Sequence, residues 1–168
     1  SWRHQIPVIA EAGYKVVAID VRGYGGSDKP HAIEEYTLKK LSDDVVGVID
    51  FFGEEQAILF GHDWGAPIVW YTSLLNEKRV SAVAGLSVPY FPQGDVSPMD
   101  AFEAIFEDKF FYMIYFQEEG LAESEFEPNL RKYLESTYFS ADGRGMKKQF
   151  ESPFNVSDKG PEAKYLDN

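Results

Sequence analysis

The sequence contains no cysteine. That excludes a disulfide framework and every thiolate mechanism, and it is compatible with a reducing compartment, so a cytoplasmic location is expected. Histidine is scarce, occurring at His4, His31 and His62. The three lack the paired spacing of a transition-metal site, so no metal and no cofactor are expected. Long hydrophobic runs are missing, and no stretch approaches the roughly 20 apolar residues of a membrane span. Positive charge is in deficit. Sixteen Lys and Arg stand against 28 Asp and Glu, a formal net charge of -12, which argues against nucleic acid as partner. The acidic excess reads as a solvated surface. There is no signal-peptide pattern and no initiating methionine, and Ser1-Trp2-Arg3-His4 reads as the interior of something longer.

What is present centres on Ala57 to Ala66. The run Ala57-Ile58-Leu59-Phe60 suits a buried strand; Gly61-His62-Asp63-Trp64-Gly65-Ala66 follows, and then helix-forming residues continue to Leu75. Glycines at minus two and plus two bracket Asp63. A sharp strand-to-helix turn of this kind pushes one side chain into an active site. Serine usually holds that slot. An aspartate is already ionised, so it attacks an electrophilic carbon directly and leaves an ester. The competing reading is an Asp capping a helix N-terminus.

The rest of the chain supplies an α/β context. A helix is expected over residues 2–12, ended by Gly13, and a β-branched strand over 14–20. Residues 22–30 form a glycine-rich loop, which lacks the G-x-G-x-x-G pattern and the Lys-Ser/Thr ending of a phosphate cradle. An amphipathic helix is expected over 37–52, stopped by Gly53, then strands over 56–60 and 80–88 on either side of the helix 66–75. This alternation predicts βαβ units and a parallel sheet. The character changes near Pro89. A Pro/Gly-rich linker covers 90–98, an aromatic helical stretch runs from Met99 through Phe116, and an acidic helix is expected over 122–137. The expected division is a partial α/β core over 1–90 and a partial helical cap over 91–168.

Four colinear segments carry a resemblance to a known family. They are Ser1-Trp2-Arg3-His4-Gln5, the run Asp20 to Pro30, Gly61-His62-Asp63-Trp64-Gly65-Ala66, and Phe110 to Gly120. They resemble the epoxide hydrolases of the α/β-hydrolase fold, most of all the hydrolase domain of the soluble enzymes. The similarity runs from residue 1 to about residue 140 and thins beyond Gly143. The resemblance implies a fold, a partial parallel sheet flanked by helices with part of a cap domain after it. It also implies a mechanism. Asp63 opens a small apolar epoxide to a covalent alkyl ester, Tyr112 in the cap gives the ring oxygen a proton or hydrogen bond, and a His-activated water releases a vicinal diol. Trp64 contributes its backbone N–H to the oxyanion hole. Pro89 and Phe91, where core gives way to cap, either line the pocket or pack. Tyr115 shares the Tyr112 face and is a lining candidate whose alternative is packing.

Departures from the family pattern are as specific as the matches. No histidine follows His62, although this fold takes its base and the acid that orients it from positions after the nucleophile. His62 itself reads as a structural residue beside the elbow. The loop bearing the second oxyanion donor belongs before residue 1, and neither Tyr138 nor Tyr165 is assignable as the second cap tyrosine. The expected chain is therefore an enzyme fragment that carries a nucleophile and one acid. Two alternatives stand beside the epoxide hydrolase: a haloalkane dehalogenase, which shares the Asp-Trp pair, and a non-catalytic relative that binds ligands.

Overall fold

A computed structural model describes residues 2–92, 94–107 and 109–139. The chain divides into two compact units, Ser1–Pro92 and Gln93–Asn168.

In the first unit, a 3-10 turn at Trp2–His4 leads into helix α1, Gln5–Glu11. Pro7 falls in its first turn, where a missing N–H costs nothing. Helix α2, Leu38–Phe51, is the best specified element. The Thr37 side chain accepts from the Lys40 N–H at its start. Leu41, Val45 and Ile49 recur on one face, with Val45 and Ile49 buried. At its end Gly53 adopts φ 68, its N–H bonds Asp50 O at 2.9 Å, and Glu54 N–H reaches back to Ile49 O at 3.1 Å. Those two bonds make a Schellman cap, which requires the left-handed residue that glycine supplies.

Strand β1, Ala57–His62, and strand β2, Val80–Leu86, pair in parallel, and helix α3, Gly65–Leu75, connects them. Helices α2 and α3 pack on each other, and α3 packs on both strands. Val45, Ile49, Leu59, Ile68 and Val69 form the buried core. A polar pin joins the two helices, with the Asn76 amide donating to the fully buried Ser42 hydroxyl at 3.0 Å.

Several expectations are corrected. Residues 14–20 form no strand, because among the described residues the sheet has only β1 and β2 and the run has no ladder partner. A β-branched sequence specifies an extended segment, but a strand exists only where a neighbour accepts its hydrogen bonds. The strand expected to reach residue 88 stops at Leu86, since Ser87 turns to φ 70.

In the second unit the aromatic stretch is two helices, not one. Helix α4, Pro98–Phe106, is capped by the Ser97 hydroxyl accepting from Asp100 N–H at 3.1 Å, and it ends where Glu107 takes φ 44. Helix α5 is a single turn, Tyr112–Tyr115. The acidic helix expected over 122–137 is divided into α6, Leu121–Phe126, a 3-10 turn at Glu127–Asn129, and α7, Leu130–Phe139. Pro128 sits in that turn and cannot donate to a continuous helix. Partly buried rings stack within this unit, Phe106 on Phe111 at 4.0 Å and Phe126 on Tyr133 at 3.8 Å. No described helix is long and apolar enough to cross a membrane.

Candidate active site

The elbow begins with a glycine that has no substitute. A Cβ on Gly61 would collide with the Gly65 carbonyl oxygen and come within 2.7 Å of Val69 Cγ2. Strand β1 therefore approaches the first turn of α3 more closely than any side chain permits. Gly65 is different, because a Cβ there meets nothing within 4 Å. Between the two glycines the chain must reverse direction, and Asp63 absorbs the reversal at φ 54. A non-glycine residue in the left-handed region is uncommon and concentrates at functional sites. Two bonds hold it there. Asp63 N–H donates to Leu86 O at 3.2 Å, and its carbonyl accepts from Ala66 N–H at 2.9 Å.

The carboxylate is oriented as well as exposed. Trp64 N–H donates to Asp63 Oδ2 at 2.7 Å. The first amide of the α3 terminus thus engages one oxygen, with the positive end of the helix dipole behind it. Oδ1 receives no such bond from the turn.

The site lies at the carboxyl ends of parallel strands, where open α/β sheets bind ligands. His62 and Leu86 are register partners, so Asp63 and Ser87, both with positive φ, end adjacent strands. A Cβ on Gly85 would come within 2.5 Å of the Trp70 indole, so glycine is required for α3 to lie against β2. The same indole donates to Val88 O at 3.1 Å and ties down the start of the loop that carries Pro89 and Phe91. Pro89 and Phe91 are exposed in that loop, and the Trp64 side chain is exposed on the elbow.

The glycine-rich loop is a scaffold held by ion pairs. Arg22 donates to both oxygens of Asp44, at 2.9 and 2.7 Å, and to Glu35 Oε2 at 2.8 Å. Lys40 Nζ reaches Glu35 Oε1 at 2.6 Å. Hydrogen bonding to Lys40, with Arg22 adding its charge, holds the Glu35 carboxyl below its ordinary value, and the Asp44 carboxylate pushes the Arg22 guanidinium further up. A groove of about 1010 Å³ opens between residues 19–30 and α2, lined by Ile19, Arg22, Asp44 and Val48 among others. None of Asp63, Trp64, Pro89 or Phe91 lines it.

Tyr112 and Tyr115 belong to the second unit, on the single turn α5. Tyr112 is half-buried, its ring against Phe111 at 5.1 Å and Phe116 at 6.1 Å. Tyr115 is 7% exposed and its hydroxyl donates to Glu125 Oε2 at 2.7 Å. Sequence reading missed Glu125. No periodicity relates it to Tyr115, because a loop and a helix break separate them. Tyr165 lies outside the described residues. Among those described, no group of His, Asp and Glu is arranged to hold a metal ion.

Comparison with known proteins agrees with this geometry. The family profile described as alpha/beta hydrolase fold matches residues 1–158. The chain is 54% identical to epoxide hydrolase A of Mycobacterium tuberculosis over 125 residues, covering 74% of this chain and 39% of that protein. It is 42% identical to bifunctional epoxide hydrolase 2 of Rattus norvegicus over 147 residues, covering 87% of this chain and 26% of that one. Among solved structures, epoxide hydrolase A from Mycobacterium thermoresistibile matches with TM-score 0.78 and 41% identity, over 99% of this chain and 56% of that one. An epoxide hydrolase from an endophytic Streptomyces matches with TM-score 0.77 and 47% identity, over 82% and 41%. The chain thus spans between 26% and 39% of the length of these two curated relatives.

Proposed function

The chain belongs to the α/β-hydrolase-fold family, and from that premise we propose that it carries the nucleophile and one acid of an epoxide hydrolase. The left-handed Asp63 with Trp64 N–H on Oδ2 is the observation that supports this reading most directly. Asp63 Oδ1 attacks a ring carbon of a small apolar epoxide. The carbon–oxygen bond of the ring breaks, and its electron pair stays on the ring oxygen. The Tyr112 phenol delivers a proton to that oxygen, a reasonable acid toward an incipient alkoxide. The product is an alkyl ester of Asp63 bearing a hydroxyl on the neighbouring carbon. Water then adds to the ester carbonyl, Trp64 N–H stabilises the charge on Oδ2, the bond from Cγ to Oδ1 breaks, and the vicinal diol leaves with Oδ1; one proton of the water completes the diol and the other restores the Tyr112 phenol. No cofactor enters these steps, and the cytoplasm is the location we assign them. Trp64 on the elbow, and Pro89 and Phe91 in the loop after β2, offer apolar surface for the substrate, and the helical second unit takes the part of the cap.

The second half-reaction needs a base, and no histidine follows His62 in these 168 residues. The ester is therefore expected to accumulate on this chain. Incubation with styrene oxide and intact-mass measurement tests the reading. One hydroxylamine-sensitive adduct is expected, absent in Asp63→Asn and slowed in Tyr112→Phe. A folded chain that forms no adduct sinks the proposal and favours a ligand-binding relative without chemistry. A haloalkane dehalogenase is not favoured, since the relatives compared carry epoxide hydrolase names.

A further inference from the structure

We infer that Tyr115 and Glu125 form a positioning pair that sets the orientation of the turn bearing Tyr112. The inference rests on the acid role proposed for Tyr112 and adds to it the device that aims the phenol.

Helix α5 has four residues and cannot hold itself. Its i to i−4 backbone bonds are Tyr115 N–H to Phe111 O at 3.1 Å and Phe116 N–H to Tyr112 O at 3.0 Å. Such a turn takes its rotation from whichever side chain anchors it. Tyr115 is the anchor. It is the buried residue of the turn, with its ring 5.4 Å from Phe110 and 6.0 Å from Phe126. Ring packing alone permits sliding, because aromatic contacts are broad in angle. The bond from Tyr115 hydroxyl to Glu125 Oε2, at 2.7 Å, removes that freedom by fixing the far end of the ring. A phenol bonded to a carboxylate is among the stronger neutral-donor bonds a side chain makes. Glu125 stands on α6, so the pair also joins α5 to the next helix across Gln117–Gly120.

Tyr112 lies three residues before Tyr115 on the same turn, where side chains are neighbours. Any rotation of the turn moves both. A side-chain tip stands roughly 6 Å from a helix axis, so a rotation of about 10° displaces it by about 1 Å. A displacement of that size is enough to cost a reaction on the order of a hundredfold. Glu125 touches neither substrate nor the reacting atoms in this scheme. It is a positioning residue, acting through Tyr115 on Tyr112.

The test is a double-mutant cycle on the full chain, read as the rate of adduct formation with styrene oxide by intact mass. Circular dichroism is recorded for every variant. Glu125→Ala is expected to slow the reaction by roughly tenfold to a hundredfold. Glu125→Gln keeps an acceptor oxygen and is expected to restore most of that loss. With Tyr112→Phe already in place, Glu125→Ala is expected to change nothing further, because its effect passes through that phenol. A purely structural Glu125 would slow the Tyr112→Phe chain by the same factor, and that result overturns the inference. So does an unchanged rate in Glu125→Ala. If Glu125→Ala does not fold, Tyr115→Phe removes the same bond from the other side and carries the same expectations. If Tyr112→Phe alone leaves the rate unchanged, the acid role falls and the pair falls with it. If Tyr112→Phe slows the reaction but neither Glu125→Ala nor Tyr115→Phe does, the pair alone falls.

Discussion

At the residue scale, a single backbone angle sets the direction of the Asp63 side chain. Asp63 at φ 54 is held by the strand before it and the helix after it. A residue in that region costs on the order of 1 kcal/mol, which the surrounding packing must offset. The packing that offsets it is concentrated at Gly61, whose missing Cβ lets the Gly65 carbonyl lie against the strand. Gly61→Ala is accordingly expected to destabilise the first unit by on the order of 3 kcal/mol. Gly65→Ala, in open space at the start of α3, is expected to be neutral or slightly stabilising. Urea denaturation of the two variants checks this, and equal losses would refute the asymmetry. The bracket of glycines about Asp63 was readable in sequence, yet sequence treated the two glycines alike. Only the positions of Val69 and the Gly65 carbonyl distinguish them. Likewise, the sequence singles out Asp63, but the Trp64 N–H bond is what separates its two oxygens.

The elements differ in how much they owe to local signals. Helix α2 owes nearly everything to them, from Thr37 at its start to Gly53 at its end, and its expected limits agree with the observed ones to within a residue. Its link to the glycine-rich loop is another matter. Arg22, Glu35, Lys40 and Asp44 form one network across 22 residues of sequence, and no motif announces it. That network makes a pH prediction. The folded Glu35 carboxyl is held below its ordinary value of 4.5, so its contribution is fully present above 4.5 and is lost as pH falls through the lower folded value. Arg22 stays charged throughout and adds no pH dependence in this range. Glu35→Gln is expected to lower stability near neutrality, where the contribution is present, and to converge with the parent chain as pH falls below about 4.5, so that its loss of stability in acid is flatter. Thermal melts of the two chains between pH 3 and pH 7 would decide; parallel curves would show that Glu35 does not carry the acid sensitivity. The elements that sequence misjudged failed for physical reasons of the same order. Residues 14–20 have strand composition and no partner, and Pro128 interrupts a helix whose amphipathic pattern continues past it.

At the scale of the molecule, the two-stranded sheet of the described residues leaves an open face. Alternation along β1 sends Leu59 and Gly61 toward the helices and leaves Ile58 and Phe60 exposed at 48% and 52%. Leu86, on β2, is also exposed. Apolar sheet faces of this kind associate. Ile58→Thr with Phe60→Thr is expected to reduce concentration-dependent association and binding of an apolar dye, with the circular dichroism spectrum retained. Sedimentation velocity on both chains measures it, and unchanged association would mean that another surface is responsible. The α/β class, the elbow, the identity of Asp63 and the aromatic character of the second unit were determined by the sequence alone. Each is set by neighbours a few residues away, through strand alternation, helical spacing and the steric freedom of glycine. Tertiary structure decided which strands form, which glycine is indispensable, which oxygen of Asp63 is free and which carboxylate holds Tyr115. Each of those depends on atoms brought together from distant parts of the chain, and the energy of such a meeting is written in no single segment.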